Sequence, residues 1–355
     1  MIKSALSLPC LTQSLKEEAL PIFLYGMGNG AEKILAYLQS YGISIKGVVA
    51  SDEFVRGQSF LGYNVEKISH AESIHGRLCL VVCFGLEGEK CRFLYELAKK
   101  HKIVSPNLPV FGEGVCNKEY IEANLEAFER VYSLLADDLS KEIFIQLIKY
   151  NITGDINYLL GNNGLCAPRE FYSHRLRHID IGAYDGDTAA EYAQNSSTYA
   201  DIVAFEPDSI TYKKLVKNTA DLRNVIAENA AVGDKDGFIA FNTGNGRASH
   251  CGEGDDKVKC VSIDGYCGYT HIKAQGTPVG SIKIDAEGMD TQAIYGGVNT
   301  IYVCKSHISV ALYHRAGDYI SIPLLLRKHN SNYKFYLRKK EYIPAWDVFL
   351  YAINN

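Results

Sequence analysis

The sequence predicts an α/β fold in which helices cover both faces of a doubly wound, mostly parallel sheet. Two glycine-rich turns, GMGNGA at 26–31 and GAYDGD at 182–187, each follow an apolar run and precede a segment with helical periodicity. Apolar, β-branched runs then alternate with amphipathic segments in both halves of the chain. We therefore expect two α/β units with a helical stretch between them.

Three domains follow from this pattern along the 355 residues. Residues 1–115 form a small Rossmann-like unit, residues 116–170 a helical connector, and residues 171–355 a larger α/β domain. The first unit is too short for the two mononucleotide-binding halves of a complete dinucleotide domain, so we interpret it as a half-Rossmann fold. The last two strands, YKFYLRKK and WDVFLYAIN, are predicted to pair as an antiparallel hairpin.

Composition excludes several classes of protein. The chain is 47% hydrophobic and 22% charged, as soluble globular proteins are, and its net charge of −4 argues against nucleic acid as a partner. No apolar run reaches the length of about 18 residues that a membrane span needs. The ten cysteines include no C-x-x-C pair and no zinc-ligand spacing, so we expect reduced thiols and a cytoplasmic protein.

The second glycine loop differs chemically from a pyrophosphate-binding turn. Asp180, Asp185 and Asp187 crowd it, and these carboxylates would repel a phosphate. They suit a ligand that bears an ammonium and a sulfonium, such as S-adenosylmethionine. Glu206 ends the next strand, where an acid can accept the ribose hydroxyl protons. The loop after the following strand, from Glu228 to Ala231, is placed to meet the adenine.

These motifs resemble the FkbM-type methyltransferase family. The signatures HIDIGAYDGDT, IVAFEPD, NAAVGDKDG, VKCVSIDGY, SIKIDAEGMD and ISVALYHRAGDYISIPLLL occur in order, and the resemblance covers about residues 117–355. It implies a class I methyltransferase fold, a seven-stranded sheet whose last strand is antiparallel, and O-methyl transfer to a sugar, a glycan or a glycosylated metabolite. One departure is Asp290, where the family often carries Glu.

The site residues follow from the loop, the strand ends and the resemblance. The expected cofactor-binding residues are Asp180, Gly182, Ala183, Asp185, Thr188, Glu206, Pro207, Asn229, Ala230 and Asp285. Because a sugar hydroxyl is a poor nucleophile, a base or a metal must assist its deprotonation. We expect Asp285, Glu287 and His314 to line the acceptor pocket, with His314 as the base and Asp285 and Glu287 as ligands of Mg²⁺. The alternative is that Asp285 orients the cofactor, Glu287 pairs with Arg315 and His314 only packs.

The N-terminal glycine turn suggests a second ligand site, formed by Gly26, Gly28, Gly30 and Asp52. This segment resembles the small N-terminal domain of some bacterial sugar O- and N-acetyltransferases, which implies a nucleotide or sugar ligand. A scaffolding role is the alternative. Two other functions stay open: an NAD- or nucleotide-sugar-dependent sugar-modifying enzyme that uses this turn, and a non-catalytic binding protein.

The expected partners are a sugar, glycan or nucleotide-sugar acceptor, with a homodimer allowed for and no nucleic acid or membrane span. A basic run near the C-terminus has two interpretations. Its charges protect edge strands from self-pairing, or they contact a phosphate on a nucleotide- or lipid-linked sugar. The run comprises Arg327, Lys328, His329, Lys334, Arg338, Lys339 and Lys340.

Overall fold

Two α/β units and a helical connector make up the computed structural model of this chain. The structure describes residues 1–112, 114–161, 167–173, 175–196, 198–242, 250–251, 256–269 and 277–354. Within them, six strands form a sheet in the first unit and seven strands form a sheet in the last. The predicted α/β fold class is confirmed.

The N-terminal unit is a twisted sheet with helices between its strands. Its elements are α1 (Ile2–Ala5), α2 (Leu11–Lys16), β1 (Ile22–Tyr25), α3 (Asn29–Ser40), β2 (Gly47–Ala50), β3 (Ser59–Phe60), β4 (Tyr63–Lys67), α4 (Ile68–His75), β5 (Cys79–Val82), β6 (Leu86–Glu87), α5 (Cys91–Ala98) and β7 (Lys102–Val104). The strand order is β3-β4-β2-β1-β5-β7, and every pair except β3–β4 is parallel. The glycine turn joins β1 to α3, as the sequence predicted.

The connector consists of α6 (Lys118–Ala123), α7 (Leu125–Leu134) and α8 (Asp138–Thr153). Asp137 caps α8, because its carboxylate accepts a hydrogen bond from the backbone N–H of Ser140 at 2.8 Å. The helix ends at Gly154, whose φ of 66° is in the left-handed region that glycine adopts without strain.

The C-terminal unit carries the larger sheet. Its elements are β8 (Arg177–Ile181), α9 (Asp187–Asn195), β9 (Ile202–Phe205), α10 (Ser209–Asn218), β10 (Val225–Glu228), β11 (Ala231–Val232), β12 (Gly237–Asn242), β13 (His250–Cys251), β14 (Asp256–Val261), α11 (Ile263–Cys267), β15 (Val279–Ile284), α12 (Asp290–Tyr295), α13 (Val298–Cys304), β16 (His307–Ala311), α14 (Asp318–His329), β17 (Tyr333–Lys339), β18 (Tyr342–Ile343) and β19 (Val348–Asn354). Short 3-10 helices lie in the N-terminal unit at Asp52–Phe54 and Gly88–Lys90. Two more, Ile156–Leu159 and Arg169–Tyr172, lie between α8 and β8.

The order of the larger sheet is β10-β9-β8-β15-β16-β19-β17. The last strand, β19, lies between β16 and β17 and is antiparallel to both, while the pairs from β10 to β16 are parallel. The predicted reversal of the last strand and its hairpin with β17 are therefore confirmed. The carboxyl ends of β8, β9, β15 and β16 meet at one edge, where such sheets place their ligands.

One hydrophobic core runs through all three parts of the chain. Along β1, Phe23 and Tyr25 face the large core that includes the connector and the C-terminal sheet, whereas Ile22 and Leu24 face a smaller core under α3. Because the first sheet shares the large core, removal of the N-terminal unit would expose apolar surface of the connector.

The edge strand β17 is covered by the connector. Ala136 N–H donates to the carbonyl of Phe335 at 2.8 Å, and the Arg338 guanidinium donates to the Asp137 carboxylate at 2.7 Å. The buried Lys339 donates to the carbonyl of Leu159 at 2.7 Å. Arg338 and Lys339 therefore bind the connector, and neither of the two interpretations of the basic run holds for them.

In the part of the chain that the structure describes, no helix has both the length and the apolar character of a membrane span.

Candidate active site

A cavity of about 470 Å³ opens at the carboxyl ends of the parallel strands in the C-terminal unit. One end is lined by the second glycine loop and by the loops after β9 and β10. The other end is lined by the segment after β15, by aromatic residues near β18 and β19, and by two residues of the first 115. A cofactor and an acceptor would therefore meet in a single space.

The glycine loop reaches the cavity because it can approach the segment after β15 closely. Gly182 has a φ of 69°, and a Cβ placed on it would lie 1.9 Å from the carbonyl oxygen of Asp285. Gly186, with a φ of 94°, opens helix α9 and packs against Thr219. These two positions require glycine for conformation and for space. Asp187 and Thr188, at the start of α9, line this end of the cavity.

Asp180 and Lys283 form a buried ion pair below this loop. The two residues are register partners in β8 and β15, and the Lys283 ammonium lies 3.2 Å from the Asp180 carboxylate. Thr188 donates to the other oxygen of Asp180 at 2.6 Å, and Lys283 donates to the carbonyl of Gly182 at 2.8 Å. Burial by itself would lower the pKa of Lys283, but attraction to Asp180 and Asp285 raises it above its ordinary value. A permanent positive charge therefore borders the cavity.

Glu206 marks the end of the adjacent strand β9. Its carboxylate accepts hydrogen bonds from the backbone N–H of Tyr184 at 3.0 Å and of Asp208 at 2.8 Å. Burial raises the pKa of Glu206 to about 7. The Asn229 amide donates to the carbonyls of Glu206 and Pro207 at 2.8 and 3.0 Å. Asn229 therefore fixes the loop around the acid and does not line the cavity.

Four ionisable side chains converge at the other end of the cavity. His314 is fully buried, and its Nδ1 lies 2.7 Å from the Asp290 carboxylate. Its Nε2 lies 3.3 Å from Asp285 and 3.5 Å from Glu287, without the alignment of a hydrogen bond. Tyr313 donates to Asp285 at 3.0 Å.

The protonation of this cluster follows from its burial and its charges. Burial by itself would lower the pKa of His314, but the carboxylate of Asp290, with Asp285 and Glu287, raises it to about 10. Although burial disfavours its charge, the His314 imidazolium holds the pKa of Asp290 below its ordinary value. Burial also raises the pKa of Glu287 to about 8, against the attraction of His314. These shifts favour a charged His314 and a protonated Glu287 near neutral pH.

The described side chains give no support for a magnesium ion in this arrangement. Asp285, Asp290 and His314 each offer a ligand atom within 4.8 Å of the others. However, the His314 imidazolium already supplies the positive charge among the carboxylates, and Asp285 accepts from Tyr313. Mg²⁺ prefers an octahedron of oxygen ligands, which a protonated histidine cannot join. The expected Mg²⁺ on Asp285 and Glu287 is not supported by these side chains.

The structure brings together most of the residues that the sequence singled out. The cavity is lined by Gly182, Thr188, Glu206, Pro207, Ala230, Asp285 and Glu287. It is not lined by Asp180, Ala183, Asp185, Asn229 or His314, which lie behind or beside that wall. His314 itself does not line the cavity, but its Nε2 lies 3.3 Å from Asp285 and 3.5 Å from Glu287, which do, so its role as the base stays a prediction. Arg315, the alternative partner of Glu287, donates to the Gly288 carbonyl instead.

Sequence reasoning assigned no role to three contributors. Lys283 occurs in an apolar strand, and only its register with Asp180 shows the ion pair. Asp290 opens α12, where a carboxylate is usually a helix-start signal, yet it binds His314. Trp346 lines the far end of the cavity from a loop with no motif. The neighbouring positions of β8 and β15 could have suggested the first of these contacts.

The N-terminal glycine turn is explained in part by packing. A Cβ on Gly26 would collide with the Phe84 ring, and one on Gly30 would lie 2.8 Å from the Cys83 carbonyl. Gly28, with a φ of 122°, has no atom within 4 Å of such a Cβ. Asp52 follows β2 as expected, but its carboxylate accepts hydrogen bonds from the N–H and hydroxyl of Ser69. A ribose would therefore have to compete with Ser69 for this acid.

Comparison with known proteins identifies the methyltransferase FkbM domain over residues 180–335. None of the curated proteins searched matches the chain. Among solved structures, methyltransferase FkbM from Methylobacillus flagellatus KT is similar with a TM-score of 0.66. The match covers 94% of this chain and 90% of that one at 15% identity, which is a likeness of fold.

Two further structures are similar over about half of the chain. Aeropyrum pernix fibrillarin with natively bound S-adenosyl-L-methionine matches 52% of this chain and 68% of its own, at 10% identity and a TM-score of 0.32. A Streptococcus mutans protein in complex with SAH matches 52% of this chain and 92% of its own, at 11% identity and a TM-score of 0.29. These likenesses are too distant to carry an argument.

Proposed function

We propose that this chain, whose residues 180–335 form a methyltransferase domain of the FkbM family, uses S-adenosylmethionine to methylate a hydroxyl of a sugar, a glycan or a glycosylated metabolite. One observation carries the proposal. A single cavity joins the acid at the end of β9 and the glycine loop to the carboxylates after β15. A donor bound at the first end would present its methyl group to an acceptor bound at the second.

The cofactor end offers complementary groups for the ribose, the adenine, the carboxylate and the sulfonium of S-adenosylmethionine. Glu206 would accept hydrogen bonds from the two ribose hydroxyls, and Ala230 with Val232 would face the adenine. The Lys283 ammonium is placed to pair with the carboxylate of the amino-acid tail, beside the glycine loop. The acids Asp285 and Glu287 would favour the sulfonium. Together these groups fit a ligand with one carboxylate, one diol and a positive sulfur.

At the reacting end, the bound cofactor supplies an activated methyl group on a cationic sulfur. We assign to the Glu287 carboxylate the task of taking the proton from the acceptor hydroxyl as its oxygen forms the bond to carbon. The products are then a methyl ether, neutral S-adenosylhomocysteine and protonated Glu287. His314, fixed by Asp290, would hold Asp285 and Glu287 in place from behind. It is thus a positioning residue.

A sugar acceptor is supported by the lining of the acceptor end. Tyr313, Trp346 and Phe349 present aromatic rings there, next to polar groups such as Glu287 and Lys340. Sugar rings combine C–H faces that pack on aromatic rings with hydroxyls that need hydrogen-bond partners. The resemblance to the FkbM-type family, whose members commonly methylate glycans, favours the same class.

Binding of S-adenosylhomocysteine is the direct test. We expect calorimetry to detect binding by the wild-type chain and the Glu206→Gln variant to bind about tenfold or more weakly, because hydrogen bonds to a charged acceptor are strong. The affinity of the wild type should also fall as the pH drops below about 7, where Glu206 becomes protonated. Glu129→Gln, an exposed change on α7, is the matched control and should bind as the wild type does. Absence of binding by the wild type would overturn the proposal.

A nucleotide-sugar site at the N-terminal turn stays a second proposal for the same chain. Gly28 leaves open space beside the uncapped start of α3, where backbone N–H groups can meet a phosphate. We expect calorimetry of the full chain to show binding of a UDP-linked hexose, and loss of that binding in Gly28→Asp, whose carboxylate would repel the phosphates. Absence of binding heat with UDP-hexose would favour the scaffolding role. Binding of NAD alone would favour the NAD-dependent sugar-modifying enzyme.

A further inference from the structure

The first 115 residues contribute directly to the cavity of the methyltransferase domain. Strand β6 pairs with β18 in an antiparallel ladder, with Glu87 opposite Tyr342 and Leu86 opposite Ile343. The Gly88 N–H adds a bond of 2.8 Å to the carbonyl of Glu341. More than 250 residues of sequence separate the two strands, so the β6–β18 pairing connects the N-terminal unit to the acceptor end of the cavity.

The β6–β18 pairing supports two aromatic side chains that line the cavity, Tyr342 and Trp346. A Cβ on Gly85 would lie 3.0 Å from the Tyr342 ring and 3.2 Å from the Trp346 ring, so both rings rest on this turn. The two rings are 5.5 Å apart and tilted by 40°. Glu87, Tyr342 and Trp346 all line the cavity. The turn at Gly85 therefore determines the positions of these two rings.

A second contact from the N-terminal side packs against His314 and the turn at Gly288. The Phe111 ring lies 5.8 Å from the ring of His314, and its N–H donates to the His314 carbonyl at 3.0 Å. Phe111 also packs on Gly288, where a Cβ would lie 3.1 Å away. The adjacent Val110 lines the cavity. Two separate N-terminal segments thus border the acceptor end.

We infer that the N-terminal unit forms one wall of the acceptor pocket, with Glu87 as a specificity-determining residue for a sugar ring that stacks on Trp346 and Tyr342. This inference rests on the proposed function. A carboxylate can accept two hydrogen bonds from neighbouring sugar hydroxyls. The position of Glu87 is fixed by the pairing of β6 with β18. The aromatic rings cover the C–H face of the same ring.

The single tryptophan of the chain makes the inference measurable, because Trp346 is its only source of indole fluorescence. The full chain, loaded with S-adenosylhomocysteine, is titrated with methyl glycosides of a hexose, a 6-deoxyhexose and an N-acetylhexosamine, and with the same sugars as UDP derivatives. We expect at least one sugar to change the emission. Preference for the methyl glycoside indicates a free glycan as acceptor, and preference for the UDP form a nucleotide-linked sugar; both support the inference.

Three variants separate recognition from support. Glu87→Gln is expected to weaken sugar binding about tenfold and to raise the KM for the acceptor, with kcat and the affinity for S-adenosylhomocysteine unchanged. Glu89→Gln, in the same exposed turn but outside the cavity lining, should match the wild type. Gly85→Ala should shift the Trp346 emission even without sugar.

Two results would overturn the inference. They are equal sugar affinity in Glu87→Gln and wild type, and an emission that no sugar changes although S-adenosylhomocysteine binds. Failure of S-adenosylhomocysteine to bind the wild type would instead reject the proposed function.

Discussion

Gly182→Ala is expected to destabilise the chain by about 3 kcal/mol and to lower methyl transfer about a hundredfold. A side chain at this φ of 69° costs about 1–2 kcal/mol in any surroundings. In addition, the new Cβ would lie 1.9 Å from the carbonyl oxygen of Asp285, so the loop or the segment after β15 must move. Both segments line the cavity, and a shift of about 1 Å there separates donor from acceptor.

Gly42→Ala is the matched control. Gly42 follows α3 with nearly the same φ, 71°, but no atom lies within 4 Å of a Cβ placed on it. It should therefore lose only the conformational cost of about 1–2 kcal/mol and keep the wild-type rate. The melting temperatures of both variants and their affinities for S-adenosylhomocysteine provide the measurement. Equal losses of stability would show that the contact with Asp285 relaxes freely.

Sequence patterns located the strand ends of the C-terminal unit because parallel sheets obey strong local and topological rules. Alternating elements identify the βαβ order, and the carboxyl ends of the strands then fall at one edge. Gly182, Glu206 and Asp285 each follow an apolar strand directly, so their meeting could be predicted without coordinates. The acids of the glycine loop were a weaker guide, because Asp180 pairs with Lys283 and Asp185 does not line the cavity.

Contacts between distant segments carry no such signal. The Asp290–His314 pair joins the start of α12 to the end of a strand, and each residue has an ordinary local explanation. The β6–β18 ladder involves two residues on each strand, too few for a periodic pattern. The role of the N-terminal unit in the cavity therefore became visible only in the fold.

The His314 assignment shows how burial changes a chemical interpretation. A histidine at a strand end suggests a base because its ordinary pKa is near 7. Here the Asp290 carboxylate at 2.7 Å, with Asp285 and Glu287, keeps the ring protonated although burial opposes its charge. In the proposed mechanism the proton acceptor is therefore Glu287, although the ordinary pKa of a glutamate would have argued against it. In this cluster the histidine is the charged acid form and the glutamate is the proposed base, the reverse of what their ordinary pKa values suggest.

Glu287 also stands out in its backbone. Its φ of 47° is in the left-handed region, which costs a non-glycine residue about 1–3 kcal/mol. The turn it forms with Gly288 aims the carboxylate into the cavity beside Asp285. Glu287→Gly should therefore be at least as stable as the wild type, although it removes the carboxylate. A site that holds strain for the sake of one side chain is a candidate for catalysis.

Glu287→Gln is accordingly expected to lower kcat about a hundredfold or more, the usual contribution of a general base, with S-adenosylhomocysteine affinity unchanged. In the wild type, the rate should rise with pH to a plateau, because only ionised Glu287 accepts a proton. The midpoint lies at about pH 8 before cofactor binding and is lowered by the sulfonium charge. Glu287→Gln should lose this rise, and chelation of divalent metals should leave the wild-type rate intact.

His314 provides the contrasting variant. His314→Ala leaves the Asp290 carboxylate buried without its partner and should cost about 3–5 kcal/mol of stability. The double change His314→Ala, Asp290→Asn removes that buried charge and should recover much of the stability, so that the rate can be compared among folded proteins. If this double variant methylates more slowly but its rate still rises with pH, His314 positions the base. If its rate no longer rises with pH, while the rate of Glu287→Gln still does, His314 is the base itself.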